Sequence, residues 1–559
     1  MNSSPDPLDV ERTGRLMTRA RSVLAYGGLD GIVQRPLHHS ADGVFPQFAV
    51  EASGCRFRDT TGQSFVDWVN GWGPVMLGYR HPEVESAIRN QLAAGPNLSL
   101  MHPIEVEVAE ALVEMIPCAE MVAFGKNGSD GLTAAVRLAR SITGRDLILQ
   151  CGMHGFHDWF VGQLAHVRGI PSAWRELVVA FPYGDIDALA ERFHAHRDRV
   201  AAVVMEPVRE ILPEPGYLEA VRELTHKNGA LFIFDEVMTS LRLGPGGAQE
   251  AFGVVPDIAC LGKSMGNGMP LAAVVGRREY MQHLPGVGFG MTFRGETLSL
   301  AAARTVLKIV RTEPVAEHLA RMGEELRSGF REMCRELGIG WDLLGPPARM
   351  SVLFGGAGRL SAESLRDLFL QECLKRGVFT NGNFLPSYAH DRAAVAETLA
   401  GVRGALEVVA ESMHADRATE VLPVGGFPHG PRAHIAQGFI EKMEDDGAGL
   451  RVAGWMLLQE RAPDAVELVT DDGRARRAER VRRPDIAAAF PNLAGAEQAG
   501  FEARLESSAR DSQASWKFAI LARCGEQVAF RCHVVRQARD ATSERAFEPL
   551  WLGGGVLYV

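Results

Sequence analysis

Between residues 120 and 236 the chain alternates short, almost unbroken apolar runs with longer amphipathic stretches. The runs are EMVAF (120–124), DLILQ (146–150), VAAVVME (200–206) and ALFIFDE (230–236). Apolar runs without polar alternation fit strands covered on both faces, the habit of parallel sheets. The intervening stretches, 130–142 and 216–227 among them, have helical spacing. HPEVESAIRNQL and HPIEVEVAEALVEMI read as helices too, the first opened by Pro82. From 82 to about 320 the pattern predicts an α/β layer built on a large, mostly parallel sheet.

On either side the pattern changes. Residues 6–24 read as a short helix and 48–70 as strands, with a turn at Asp59-Thr60-Thr61-Gly62. Helices are expected at 314–337, 362–375 and 392–412, with a strand at 350–355, giving a small α/β domain. The expected organisation is therefore an N-terminal segment (1–60) joining the small domain, a large domain (61–320), the small domain (321–414), a linker (415–437) and a mainly β accessory domain (438–559). The last carries short alternating strands and two Asp-Asp-Gly turns, at 445–447 and 471–473. Its cluster Arg474, Arg476, Arg477, Arg480, Arg482 and Arg483 is interleaved with Asp471, Asp472, Glu479 and Asp485, so a solvated face is expected.

Composition narrows the function classes. A net charge of -10 gives no general attraction to nucleic acid or anionic lipid. No apolar stretch approaches the roughly 20 residues that span a bilayer. Eight cysteines in 559 residues, without a CxxC pair, fit reduced thiols. A cytoplasmic protein is expected, with neither nucleic acid nor membrane as partner.

Three features carry chemistry. Asp235 ends the apolar run 230–234, where ligands of open α/β sheets collect, and a carboxylate there needs a cationic partner. FGKNGSDG leads from a strand end into a helix whose first amides, near Gly128 and Ser129, suit a phosphate. Lys263 lies 28 residues beyond Asp235, in the small-residue stretch IACLGKSMGNGMP, as a Schiff-base candidate. A phosphate nest, a carboxylate and an amine would suit the opposite ends of pyridoxal 5'-phosphate, a combination the spacing permits.

Residues 10–413 resemble a class III, fold-type I pyridoxal-phosphate aminotransferase, in the branch near the glutamate-1-semialdehyde aminomutases. The matching segments are DWVNGWGPVMLGYRHPEV, FGKNGSDGLTAAVRLARSITGRDLI, CGMHGFHDW, VVMEPV, FIFDEVMTSLR, GVVPDIACLGKSMGNGMPLAAVVGRREYM and TFRGETLSLAAA. The resemblance implies Lys263 as the Schiff-base lysine and Asp235 as the partner of the pyridine nitrogen. Gly128 and Ser129 would hold the phosphate, with Thr292 donated by a neighbouring subunit, which implies a homodimer. Val237 would pack under the ring, and His154 and Glu206 would line its surroundings.

Two departures stand out. Met153 occupies the place of the aromatic residue that usually stacks on the pyridine. The early arginine expected to clamp a substrate carboxylate falls on Gln34, with Arg35 one place beyond. Trp72 is a candidate wall of the substrate pocket.

The resemblance covers both a transaminase, which moves nitrogen from an amino donor to a separate carbonyl acceptor through Schiff-base and pyridoxamine intermediates, and a 2,1-aminomutase, which returns it to the adjacent carbon. Gly266-Asn267-Gly268-Met269-Pro270 and Phe293-Arg294-Gly295-Glu296-Thr297 resemble the transaminase side, and that reading is preferred here. A third reading is a degenerate scaffold whose C-terminal module binds a glycan, a carrier or a protein partner.

Overall fold

The computed structural model describes part of residues 15–25, residues 48–415 apart from 165–166, 358–359 and 361, and strands and turns between 436 and 557. The helix expected at 6–24 and the linker expected at 415–437 fall largely outside the described residues, as does Arg35. The chain divides into two compact units, Met1–Leu353 with Phe369–Val408, and Phe354–Leu368 with Val409–Val559.

The first unit opens with the antiparallel strands β1 (Ala49–Ser53), β2 (Arg56–Asp59) and β3 (Ser64–Asp67). The turn after Asp59 closes because Asp59 Oδ1 accepts from the amides of Thr61 and Gln63, both at 2.9 Å.

The centre is a seven-stranded sheet. Its strands are β4 (Met121–Gly125), β5 (Leu147–Cys151), β6 (Val178–Ala180), β7 (Val200–Met205), β8 (Leu231–Glu236), β9 (Ile258–Leu261) and β10 (Ala272–Gly276), in the order β4-β10-β9-β8-β7-β5-β6. The run β9-β8-β7-β5-β6 is parallel, while β10 is antiparallel to both its neighbours. Strands β5, β7, β8, β9 and β10 are buried at every position, because helices cover both faces. The helix Gly128–Thr143 buries Leu132, Ala135, Val136 and Leu138 against one face. The helix Thr297–Thr312 belongs to the core on the other.

Beyond the sheet, β11 (Asp342–Leu344), β12 (Met350–Leu353), β13 (Val378–Phe379) and β14 (Asn383–Phe384) complete the unit. β11, β12 and β14 form a three-stranded antiparallel sheet, and β13 pairs in parallel with β3. Nearby His390 is wholly buried, its ring 4.2 Å from that of Trp68. The Ser387 amide donates to His390 Nδ1 at 3.0 Å, and burial pushes the imidazole down to about 3.

The second unit holds two β-sheets of six and four strands. The strands flanking each Asp-Asp-Gly sequence pair antiparallel, Asp445 opposite Leu450 and Val469 opposite Ala475. Arg476, Arg477, Arg480 and Arg482 are exposed, as expected of a solvated face.

Candidate active site

The site forms where β7, β8 and β9 end and the helix Gly128–Thr143 begins. Asp235 is the penultimate residue of β8, buried, and stands opposite Cys260 on β9. Its Oδ1 accepts from the Val237 amide at 3.1 Å, and its Oδ2 lies 2.7 Å from His154 Nδ1. His154 is fully buried beside Trp159 and Phe160, and its Nε2 has no partner among the described residues.

The helix at Gly128 is capped by Asn127, whose side chain accepts from the Asp130 amide while Asp130 accepts from the Asn127 amide. That box leaves the amides of Gly128 and Ser129 in the first turn without an intrahelical acceptor, an anion-binding start. A Cβ on Gly128 would lie 2.6 Å from Val237 Cγ2, so glycine alone fits there. Gly155 answers the same need, since a Cβ on it would meet Ser129 Oγ at 2.0 Å. Lys126, on the same loop, pairs with Glu296 at 3.0 Å, and Glu296 caps the helix Thr297–Thr312.

Lys263 follows β9. Its backbone takes φ 42°, a left-handed conformation unusual for a residue with a side chain, which marks a constrained position. The loop after it is stitched down: Asn267 accepts from the Leu77 amide at 2.8 Å and donates to the Gly78 carbonyl at 3.0 Å, and Ser264 Oγ donates to the Ser240 carbonyl at 2.8 Å. The amine has no hydrogen bond or ion pair among the described residues. Burial holds its pKa below the ordinary lysine value, opposed by Asp235 and Glu206 and assisted by Arg349 and Arg242.

Val237 joins the three features. It touches the position of Gly128 on one side and that of Gly262, next to Lys263, on the other, where a Cβ would lie 3.3 Å from Val237 Cγ1. Asp235, Val237, Gly128, Ser129, His154 and Lys263 are thus brought together. Glu206 joins them: its Oε1 accepts from the Met153 amide at 3.0 Å, and its Oε2 pairs with Arg349 at 3.1 Å. The Met153 side chain is itself largely exposed. Trp72 is partly buried at φ 72°. Thr292 is exposed in a turn of this chain, two residues from Arg294 and four from the Lys126-bound Glu296.

Sequence reasoning missed Arg349 and Arg242. Arg349 sits in the turn before β12, and Arg242 in the segment after β8, buried with its nitrogens on three carbonyls. The short run GPPAR signals a turn but not its destination.

An amine without a hydrogen bond or ion pair among the described residues, a carboxylate at a strand tip and helix amides without an intrahelical acceptor are the donor set that pyridoxal phosphate requires, so the residues present fit that cofactor. The family pattern described as aminotransferase class-III matches residues 38–337. The chain belongs to the class III aminotransferases.

Within that family it is 35% identical over 391 residues to a glutamate-1-semialdehyde 2,1-aminomutase of Methanothermobacter thermautotrophicus, covering 66% of this chain and 91% of the relative. It is 32% identical over 417 residues to a 3-aminobutyryl-CoA aminotransferase of Cloacimonas acidaminovorans, covering 73% of this chain and 98% of that one. Among solved structures, the Sphingopyxis sp. MTA144 FumI protein with PLP superposes with a TM-score of 0.68 at 30% identity, covering 72% of this chain and 98% of that chain. Aminomutases recur among the class III relatives, so the comparisons back the aminomutase alternative better than the transaminase preference drawn from the sequence. The chain is a PLP-dependent enzyme that transfers amino groups by Schiff-base chemistry. No helix among the described residues is long and apolar enough to cross a membrane.

Proposed function

We propose that this enzyme moves the amino group of a small substrate to the neighbouring carbon of the same molecule, as a 2,1-aminomutase does. Amino transfer as such is supported by the contact of Val237 with both the Gly128 and Gly262 positions, beside Asp235 and Lys263. The intramolecular version is supported by the recurrence of aminomutases among the relatives. A second reading, transamination between an amino donor and a separate carbonyl acceptor, is favoured by Gly266–Pro270 and by the 3-aminobutyryl-CoA aminotransferase relative.

Bound pyridoxal phosphate supplies an electron sink for the carbon that loses its proton. Lys263 would hold the cofactor, and its amine, whose pKa burial lowers so that more of it is in the basic form, would move that proton. Asp235 would hold the proton of the pyridine nitrogen, with His154 fixing the carboxylate. Gly128 and Ser129 would bind the phosphate, Val237 would lie under the ring, and Glu206 would line its surroundings. Thr292, exposed in this chain, reaches the phosphate of a second copy in a cytoplasmic homodimer. Met153, Trp72 and Arg35 contribute to the ring face and the substrate side. Residues 438–559 form an accessory module that engages a glycan, a carrier or a protein partner.

The test is to incubate the PLP-loaded protein with nitrogen-labelled glutamate-1-semialdehyde, and separately with labelled primary amines plus a keto acid. Label shifted within one carbon skeleton supports the mutase. Label appearing only in the keto acid replaces it with the transaminase. No transfer in either arm refutes both.

A further inference from the structure

Arg242 has an unusual setting for a cation. It is 1% exposed, and no carboxylate accepts from it among the described residues. Nη1 donates to the carbonyls of Ala348 (3.2 Å) and Pro386 (2.9 Å), and Nη2 to that of Gly73 (2.8 Å). Nε is buried without a hydrogen-bond partner among the described residues. Burying a guanidinium on neutral acceptors alone is costly, so packing by itself favours an apolar side chain here.

The backbone is constrained around it. Leu241, buried, sits at φ 60°, and Trp72, next to Gly73, at φ 72°. Both are left-handed conformations that a side chain resists, held in place by their surroundings. The three carbonyls lie in segments distant in sequence, and two of them border residues of the candidate site, Trp72 and Arg349. Gly73 follows Trp72. Ala348 precedes Arg349, whose Nη2 meets Glu206 at 3.1 Å and whose Nη1 donates to the Val208 carbonyl at 2.9 Å. Pro386 follows Leu385, whose amide donates to the Trp68 carbonyl at 2.8 Å. Arg242 itself follows Asp235 by seven residues on the segment that carries Val237, and Ser240 of that segment holds Ser264 beside Lys263.

We propose that Arg242 is a positioning residue: its planar fork ties the cofactor-side segment 235–243 to the loops at 73, 348 and 386, and it sets Arg349 against Glu206 on the substrate side of Lys263. The proposal rests on reading this pocket as the amino-transfer site. Lysine at 242 would keep the charge but lose the fork, since a single ammonium lacks the two-ended planar donor set.

Two measurements on the full-length protein test it. The first is hydrogen exchange without added cofactor, on the wild type, Arg242→Lys and Arg242→Met. The reporters are the amides of Gly73, Arg349 and Leu385, which donate to Val69, Pro346 and Trp68. Both variants should exchange about tenfold faster in peptides covering the three loops, with β5, β7 and β8 unchanged. Acceleration spread over the central sheet, or none in the loops, overturns the proposal.

The second follows the pH midpoint of the visible absorption of the PLP-loaded protein, which reports the protonation of the lysine-bound cofactor. The charged groups acting on Lys263 are Asp235, Glu206, Arg349 and Arg242. A displaced Arg349 withdraws positive charge, so Arg242→Lys should raise the midpoint by about half a pH unit. In an Arg349→Gln background the same change should add nothing, since its intermediary is gone. An equal rise in both backgrounds overturns the route through Arg349. A protein that never takes up PLP refutes the amino-transfer reading, while the exchange result still decides the tie between the loops.

Discussion

The central sheet and the C-terminal β unit handle charge in opposite ways. In the sheet, Asp235, Glu206 and Lys263 sit at buried or nearly buried strand tips, each shaped by neighbours that leave little room for change. In the C-terminal unit, the strand Glu479–Val481 is exposed along its length, and Arg482 meets Glu497 at 2.9 Å with both side chains in solvent. A charge removed from water is strongly affected by every neighbour, whereas a hydrated one is weakly affected. Substitutions should therefore have large effects in the first region and small ones in the second.

The sharpest division comes from Lys263→Ala, which should abolish the visible band of the PLP-loaded protein and cut turnover by about 10³-fold or more while the protein stays folded. Absorption and thermal melting together check it; a retained band would remove the amine from the chemistry. Asp235→Asn should lower turnover about 10²-fold, because the amide cannot hold the pyridine proton by charge and also disturbs His154. Rates near wild type at saturating PLP would contradict this. Gly128→Val should weaken PLP binding about tenfold and cost roughly 1–3 kcal/mol in stability, since its Cβ meets Val237 at 2.6 Å. Adding Val237→Ala should recover part of both losses, measured by cofactor titration and urea unfolding.

Smaller effects follow from His390 and from the surface. His390 is held at about 3 in the folded protein, against an ordinary value of 6.5. A depressed histidine pKa means that the unfolded chain binds the extra proton below 6.5, so stability present above that pH declines as pH falls toward 3. The slope from this residue approaches about 1.4 kcal/mol per pH unit. Urea unfolding between pH 7 and pH 4 should show it, and His390→Gln should flatten that component. Arg482→Gln, in the exposed pair, should change stability by less than about 1 kcal/mol. A larger loss would mean that the C-terminal unit depends on charge as the catalytic unit does.

The strand tips were legible because β7 is apolar throughout and β8 is apolar up to Asp235, and a carboxylate ending such a run is conspicuous. The capped start of the helix Gly128–Thr143 was legible because small residues before an amphipathic helix have few other uses. The direction of β10 was not: LAAVVG is apolar but carries no sign of orientation, which is set by the short connection through Asn267 and by pairing with β4 and β9. Arg242 and Arg349 were hidden for a related reason. Their roles depend on carbonyls and carboxylates more than 100 residues away, and no local spacing records such partners. Arg35 could be weighed only by its sequence.

The two hydrogen bonds from Asn267 to residues 77 and 78 restrict what Lys263 can do. With its following loop fastened on that side and Ser264 fastened on the other, the main chain there has no freedom to act as a flap. Any travel of the amine between holding a ring and ferrying a proton is then confined to rotations about its own four methylenes, a short tether whose reach fixes how large a group can turn over in front of it.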